Sequence, residues 1–293
     1  MKKLLVTGAG GHLGRLVVEA LIAANAGPII ATTRNPEKLA DFAARGVDVR
    51  RADFNDPGSL VRAFKGAERL LLISTDTLDG TDKRVKQHRN AVAAAEKAGV
   101  KHIVYTSAPS PQPSAAPSVE GDHFWTEVAI FASKLNWTIL RNNIYADMIL
   151  MSLPQAAQSG QLFSATHGQG RSYVAREDVA RAAAAALVSA NGRLIFDITG
   201  PAPVTQDEIA AIGSELTNRA ITHVDVPAAG LRDGLVQAGL PSSVADALVA
   251  FDVAAAEGKH AVRTDAVKTL TGREPISVRA FLESQRAAFS PAA

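Results

Sequence analysis

The sequence predicts an α/β fold: a doubly wound parallel sheet followed by a smaller, mostly helical C-terminal portion. Three observations lead there. Over the first 200 residues, short apolar runs alternate with longer stretches of helical spacing, the pattern of strands joined by crossover helices. The runs do not themselves alternate apolar with polar, as Leu70-Leu71-Leu72-Ile73 illustrates, and this is expected of strands covered on both faces. After residue 200 the strand pattern fades and helical spacing dominates.

In chain order, strands are predicted at 3–7, 28–33, 47–51, 69–74, 101–106, 136–140 and 193–198. Behind the first strand, Leu13, Leu16, Val17, Ala20, Leu21 and Ala24 form one apolar stripe of a helix. Asp56-Pro57 supplies a cap oxygen and then a proline suited to a first helical turn. Val92–Lys97 and Ala182–Ala186 are rich in alanine, the best helix former. Residues 108–119 hold four of the 14 prolines and read as an irregular surface loop, either a solvated connection or a lid. Thr205-Gln206-Asp207-Glu208 has the capping-box pattern. Helices follow at 205–217, 227–238, 241–256 and 276–289, with one further strand at Thr222–Val226.

Composition narrows the function. The 293 residues allow one large domain or two modest ones, with 47% hydrophobic and 20% charged residues, a globular mixture. Lys plus Arg total 31 against 29 for Asp plus Glu, a balance of +2 that leaves no nucleic-acid footprint. Zero cysteines exclude disulfides, thiolate nucleophiles and cysteine zinc sites. The seven histidines form no HxxxH or HExxH pair, so no metal is expected. No apolar run approaches the length of a membrane span, and Leu4-Leu5-Val6 after Met1-Lys2-Lys3 is too short for a signal sequence. A cytoplasmic protein without membrane partners is the expectation.

The chemistry begins at the first turn. Thr7-Gly8-Ala9-Gly10-Gly11-His12-Leu13-Gly14 follows a strand and opens a helix, with Gly8, Gly11 and Gly14 in GxxGxxG spacing. The first glycine permits the tight turn, the second lets the main chain approach a pyrophosphate, and the third lets helix pack on strand. The helix N-terminus adds free N–H groups and partial positive charge. This predicts a Rossmann-like dinucleotide site. Twenty residues past Gly14, where an NAD site carries an acidic residue, stands Arg34. An arginine there pairs with a 2′-phosphate, assisted by Thr33 and Lys38, so NADP(H) is expected over NAD(H).

Several further stretches resemble the NmrA-like group of atypical short-chain dehydrogenases/reductases: Thr33-Arg34-Asn35-Pro36-Glu37-Lys38, Ala52-Asp53-Phe54-Asn55-Asp56, Gln87-His88-Arg89-Asn90, Val104-Tyr105-Thr106-Ser107, Leu140-Arg141-Asn142-Asn143-Ile144-Tyr145 and Arg176-Glu177-Asp178-Val179-Ala180. Their order is most similar to the branch of type 2 NAD(P)H:quinone oxidoreductases and triphenylmethane reductases. The resemblance implies that Asp53 and Phe54 contact the adenine, that Ile73, Ser74 and Thr75 line the cofactor ribose, and that Tyr105, Thr106 and Ser107 sit near the nicotinamide. Asp53 reads equally as a turn residue. Residues 1–141 with 171–200 are expected to form the dinucleotide-binding domain, and 142–170 with 201–293 a smaller substrate-covering one.

One departure carries chemical content. Typical short-chain dehydrogenases use a Tyr-x-x-x-Lys pair on the helix after the fifth strand; the matching positions here hold His123 and Glu127. Hydride addition to a ketone makes an alkoxide that needs a positioned acid. Addition to a quinone makes a phenolate-like anion whose conjugate acid lies near the tyrosine range, about 10, and water protonates it later. An NADPH-dependent reductase of quinones or similar planar acceptors is therefore expected, with His123, Asn142 and Tyr145 as candidate catalytic groups: Asn142 donating to a carbonyl, Tyr145 stacking or donating, His123 relaying a proton near neutrality. His123 also reads as a surface or capping histidine, and Tyr145 as a core aromatic. The other reading is a non-catalytic NADP(H)-binding redox sensor, which the missing pair suits equally. The expected partner is a small molecule, and a homodimer is compatible with the sequence.

Overall fold

The computed structural model describes residues 2–77, 79, 81–114 and 118–289. Nine strands and twelve α-helices run through them. The strands are β1 (Leu4–Val6), β2 (Ile29–Thr33), β3 (Asp48–Arg51), β4 (Arg69–Leu72), β5 (His102–Ser107), β6 (Asn136–Asn142), β7 (Gln161–Ser164), β8 (Arg193–Ile198) and β9 (Thr222–Asp225). The helices up to the sixth are α1 (His12–Ala23), α2 (Ala40–Ala43), α3 (Pro57–Phe64), α4 (Lys83–Lys97), α5 (Val119–Phe131) and α6 (Leu153–Ser159). The rest are α7 (Arg176–Ser189), α8 (Gln206–Thr217), α9 (Ala228–Gln237), α10 (Ser242–Ala256), α11 (Ala266–Thr271) and α12 (Val278–Ser284).

Seven strands form one sheet in the order β3-β2-β1-β4-β5-β6-β8. Pairing from β3 through β6 is parallel, with Leu5 opposite Ile30 and Leu70, and Leu71 opposite Val104. The order reverses beside β1, so the carboxyl ends of β1 and β4 diverge at a crevice, the usual ligand site of such sheets. Strands β1, β4 and β5 are buried along their whole length, as their unalternating sequences require. Leu5, Leu70, Leu72, Ile103 and Ile139 of the sheet pack against Leu60 and Phe64 of α3, Ala91 and Ala95 of α4, and Ile130 of α5.

By packing, the chain divides into two units: Met1–Arg141 with Val179–Phe196, and Asn142–Asp178 with Asp197–Ala293. The first is closed by an unusual internal cap. The buried Arg69, first residue of β4, donates Nε to the Leu187 carbonyl and Nη2 to those of Ala186 (3.1 Å) and Ala190, satisfying the C-terminal carbonyls of α7 at the negative end of its dipole. The second unit has its own core, in which Ile149, Leu153, Leu162, Ile209, Ile221 and Leu282 meet. It also contains a parallel pair, β7 with β9.

The cap signals are realised. Asp56 accepts from the Ser59 N–H (3.1 Å) with Pro57 in the first turn of α3. Thr205 accepts from the Glu208 N–H (3.2 Å) while Glu208 accepts from the Thr205 N–H (2.7 Å). Of the proline-rich segment 108–119, residues 108–114 lack regular structure, 115–117 lie outside the described residues, and Ser118 caps α5 by accepting from the Gly121 N–H. The helix expected at 276–289 is shorter, with a 3-10 turn at Arg286–Ala288.

Candidate functional site

The glycine turn is built as its spacing requires. Gly8 adopts φ +59°, a left-handed conformation that favours glycine. A Cβ on Gly14 would lie 2.7 Å from the Ala9 Cα and closer still to the Gly8 carbonyl oxygen, so α1 packs on the turn only because residue 14 has no side chain. Gly11 precedes α1 in extended conformation with no side-chain cap, which leaves the first-turn N–H groups to a ligand. Beneath the turn, Thr7 is fully buried: its Oγ1 donates to the Leu71 carbonyl and accepts from the Ile73 N–H (3.0 Å), locking β1 to the end of β4.

A cleft of about 480 Å³ opens at this crevice. Of the residues expected to hold the cofactor, Gly8, Gly10, Gly11, His12, Leu13 and Gly14 line it from the turn. Arg34 and Lys38 line it beyond β2, Asp53 and Phe54 beyond β3, and Ile73, Ser74 and Thr75 beyond β4. Arg34 and Lys38 are exposed, and among the described residues neither side chain has an ion pair or hydrogen bond. Neighbouring Arg15 is already engaged, pairing with Asp41 and lying over the Phe42 ring. Asp53 holds a turn with one oxygen, Oδ1, which accepts from the N–H and the Nδ2 of Asn55 (2.8 and 3.1 Å). Both readings of Asp53 are thus compatible with its place.

Tyr105, Thr106 and Ser107 do not line the cleft. Tyr105 is fully buried and its hydroxyl meets His123 Nδ1 at 2.8 Å. Thr106 Oγ1 accepts from the Ser74 N–H (2.9 Å). Ser107 donates to Glu127 (2.7 Å), whose carboxylate also accepts two hydrogen bonds from Arg141 (3.1 and 2.7 Å). These side chains stiffen the floor behind the strand ends.

His123 requires a correction. The expected relay titrating near neutrality is instead a buried, neutral imidazole. Its Nε2 faces the Arg84 guanidinium (3.0 Å), which can only donate, so the proton sits on Nδ1 and is donated to Tyr105. Burial, reinforced by the Arg84 charge, pushes its pKa well below the usual imidazole range. Burial likewise pushes the Tyr105 phenol up.

Asn142 ends β6 and Tyr145 follows it. Asn142 Nδ2 donates to the Tyr145 hydroxyl (3.2 Å), while the buried Asn142 Oδ1 has no partner among the described residues. The Arg176 guanidinium lies 5.4 Å from the centre of the Tyr145 ring and is held there by Asp147 (2.8 Å). Burial raises the Tyr145 pKa, opposed by the Asn142 hydrogen bond and the Arg176 charge, so at neutral pH the phenol keeps its proton.

Sequence reasoning missed Asn35, Asn55, Asp76, Thr77 and Gln87, which also line the cleft. It also passed over the buried Arg84 and gave no role to the buried His88. A signal was present: Arg84, Gln87 and His88 continue the face that buries Ala91 and Ala95, and polar residues on a buried face must have partners. Among the described residues no cluster of histidines and carboxylates could hold a metal ion, and no helix is long and apolar enough to cross a membrane.

The fold and cleft define a dinucleotide-binding reductase of the Rossmann-like class. Residues 8–190 match the family model described as NAD(P)H-binding, and the chain belongs to that family, in its NmrA-like branch. Quinone oxidoreductase 2 of Escherichia coli (strain K12) is 35% identical over 256 residues, 86% of this chain and 88% of that protein. NAD(P)H azoreductase of Xenophilus azovorans is 25% identical over 291 residues, 99% of this chain and 100% of that one. Among solved structures, the NADPH-dependent quinone oxidoreductase of Escherichia coli complexed with NADPH superposes with a TM-score of 0.91 at 32% identity, covering 96% of this chain and 99% of that chain. Triphenylmethane reductase of Citrobacter sp. complexed with NADP(H) gives 0.87 at 33% identity over the same shares.

Proposed function

We propose that the protein is an NADPH-dependent reductase that delivers a hydride to a quinone or a similarly planar, electron-poor acceptor. One observation carries the choice of acceptor. The two positions that hold the tyrosine and lysine of typical short-chain dehydrogenases carry His123 and Glu127, and both are buried and committed, one to Tyr105 and Arg84, the other to Ser107 and Arg141. Neither is placed to protonate an alkoxide: the His123 Nδ1 proton is directed at Tyr105, and the Glu127 oxygens accept from Ser107 and Arg141. An acceptor whose reduced form is a delocalised, weakly basic anion needs no such acid.

When bound, NADPH supplies the hydride from its nicotinamide ring. The glycine turn and the α1 N-terminus receive the pyrophosphate, and Arg34 and Lys38, whose side chains have no partner among the described residues, receive the 2′-phosphate. Asp53 and Phe54 take the adenine, and Ile73, Ser74 and Thr75 the nicotinamide ribose. Asn142 and Tyr145 face the acceptor: Asn142 fixes the phenol, whose retained proton is free to hydrogen-bond an oxygen that gains negative charge. In this reading the first unit binds the coenzyme, Asn142 and Tyr145 of the second bind the acceptor, and the protein works in the cytoplasm.

The test is stopped-flow loss of NADPH absorbance with a panel of small quinones. The expected result is acceleration well above buffer with at least one of them. Binding of NADPH without acceleration by any member would reject the reductase in favour of a sensor.

A further inference from the structure

The first half of α4 carries a polar motif that the proposed chemistry does not use. Four of its side chains reach the two walls of the cleft. On the β4 side, His88 Nε2 accepts from the Thr75 N–H (2.9 Å), Arg84 Nε donates to the Thr75 carbonyl (2.8 Å), and Gln87 Oε1 accepts from the Thr75 hydroxyl (2.9 Å). All three polar groups of one cleft-lining residue are therefore held by one helix face, at positions i, i+3 and i+4. On the β3 side, Gln87 Nε2 donates to Asn55 Oδ1 (3.2 Å) and Asn90 Nδ2 donates to the Phe54 carbonyl (3.0 Å).

We propose that Arg84, Gln87, His88 and Asn90 are positioning residues that fix the separation and orientation of the two cofactor walls, His88 and Arg84 setting the Thr75 wall, Asn90 the Phe54 wall, and Gln87 tying the two together. The chemistry demands particular side chains. The Thr75 N–H can only donate, so His88 must offer a bare Nε2; its proton is then on Nδ1, against Thr126 Oγ1 at 2.9 Å. That hydroxyl passes its own proton to the Asp122 carbonyl (2.7 Å), so the imidazole is anchored to α5 from behind. A helix anchored at its back and bonded to both walls holds the cleft open at a fixed width, which spares a ligand the ordering cost of two mobile loops.

This inference rests on the proposed placement of the adenine on the Phe54 wall and the nicotinamide ribose on the Thr75 wall, and its test separates the two. Equilibrium dissociation constants are measured calorimetrically for NADPH and for adenosine 2′,5′-bisphosphate, which carries only the adenine end. His88→Leu is expected to weaken NADPH about tenfold and leave the bisphosphate within about twofold, as one clamp on the Thr75 wall is lost. His88→Gln, which restores an acceptor near Nε2, is expected to recover NADPH binding to within about threefold. Asn90→Ala is expected to weaken both ligands alike, by about fivefold. A His88→Leu protein that melts lower yet binds both ligands as the wild type does, or loses both equally, would overturn the assignment. Thr126→Val, which removes the hydroxyl behind the His88 imidazole and touches neither wall of the cleft, carries the same comparison should His88→Leu not fold. Failure of the wild type to bind NADPH would instead sink the cofactor placement itself.

Discussion

Arg34 and Gly14 show how single residues set the coenzyme site. Arg34 is exposed beyond β2 and has no carboxylate partner among the described residues, so in the proposed reading its full charge-assisted hydrogen bonding is open to a 2′-phosphate. Arg34→Asp should raise the NADPH dissociation constant by about two orders of magnitude and that of NADH by less than about threefold, measured by fluorescence titration; equal losses would contradict the phosphate role. Gly14→Ala drives a methyl group into backbone that cannot yield, so unfolding in urea should show a loss of about 3 kcal/mol. The places of both residues in the cleft were readable in advance because they follow from a spacing along one strand-turn-helix. Tyr105, Thr106 and Ser107 were not, because a hydroxyl at a strand end reads the same whether it faces a ligand or a neighbouring element. His123 was misread because its surroundings are built by Arg84 and Tyr105, distant in sequence, and burial holds its pKa below that of a free imidazole.

Among the elements, local signals predicted the seven main strands and the caps of α3 and α8, since each follows from a short stretch of sequence. The pair β7 and β9 was half missed. Four-residue β7 makes sense as a strand only beside a partner 61 residues on, with Gln161 opposite Thr222. The short helices α6 and α11 and the 3-10 turn at Ala146–Met151 escaped for the same reason: tertiary packing, such as Leu153 against α8, stabilises them more than propensity does. Two expected outcomes belong here. Thr205→Ala removes one half of the capping box and should cost about 1 kcal/mol by denaturant unfolding, without changing NADPH binding. Arg69→Met should cost more, about 2–3 kcal/mol, because it strips three carbonyls at the end of α7 of their donor in a buried place; NADPH affinity of the folded fraction should stay within about twofold.

Over the whole molecule, buried histidines set the acid limit. Burial pushes His102 and His260 down to about 4, and His88 and His123 well below their ordinary value. Each binds a proton less readily folded than unfolded. The stability they protect is therefore complete above about pH 6.5 and declines as pH falls from there toward the folded values. Asp122, raised by burial, opposes this only in its own more acidic range. At the other end, Tyr105 and Tyr145 are raised by burial, so stability should fall again above about pH 10, where the unfolded phenols ionise. Thermal melts between pH 5 and 11 should trace a plateau with these two shoulders. A melting temperature that held constant from pH 7 to 5 would contradict the buried, neutral state of the histidines.

The cap that Arg69 places on α7 has a consequence for how the chain is made. The first unit is interrupted in sequence, and the carbonyls that receive this guanidinium lie between residues 186 and 190, well over a hundred positions downstream. A chain of only the first 141 residues could fold this unit only by burying the Arg69 guanidinium without the carbonyls that accept from it. Synthesis must pass residue 190 before that half can settle, so a gene fragment ending at 141 should yield an aggregating product rather than a free-standing nucleotide binder.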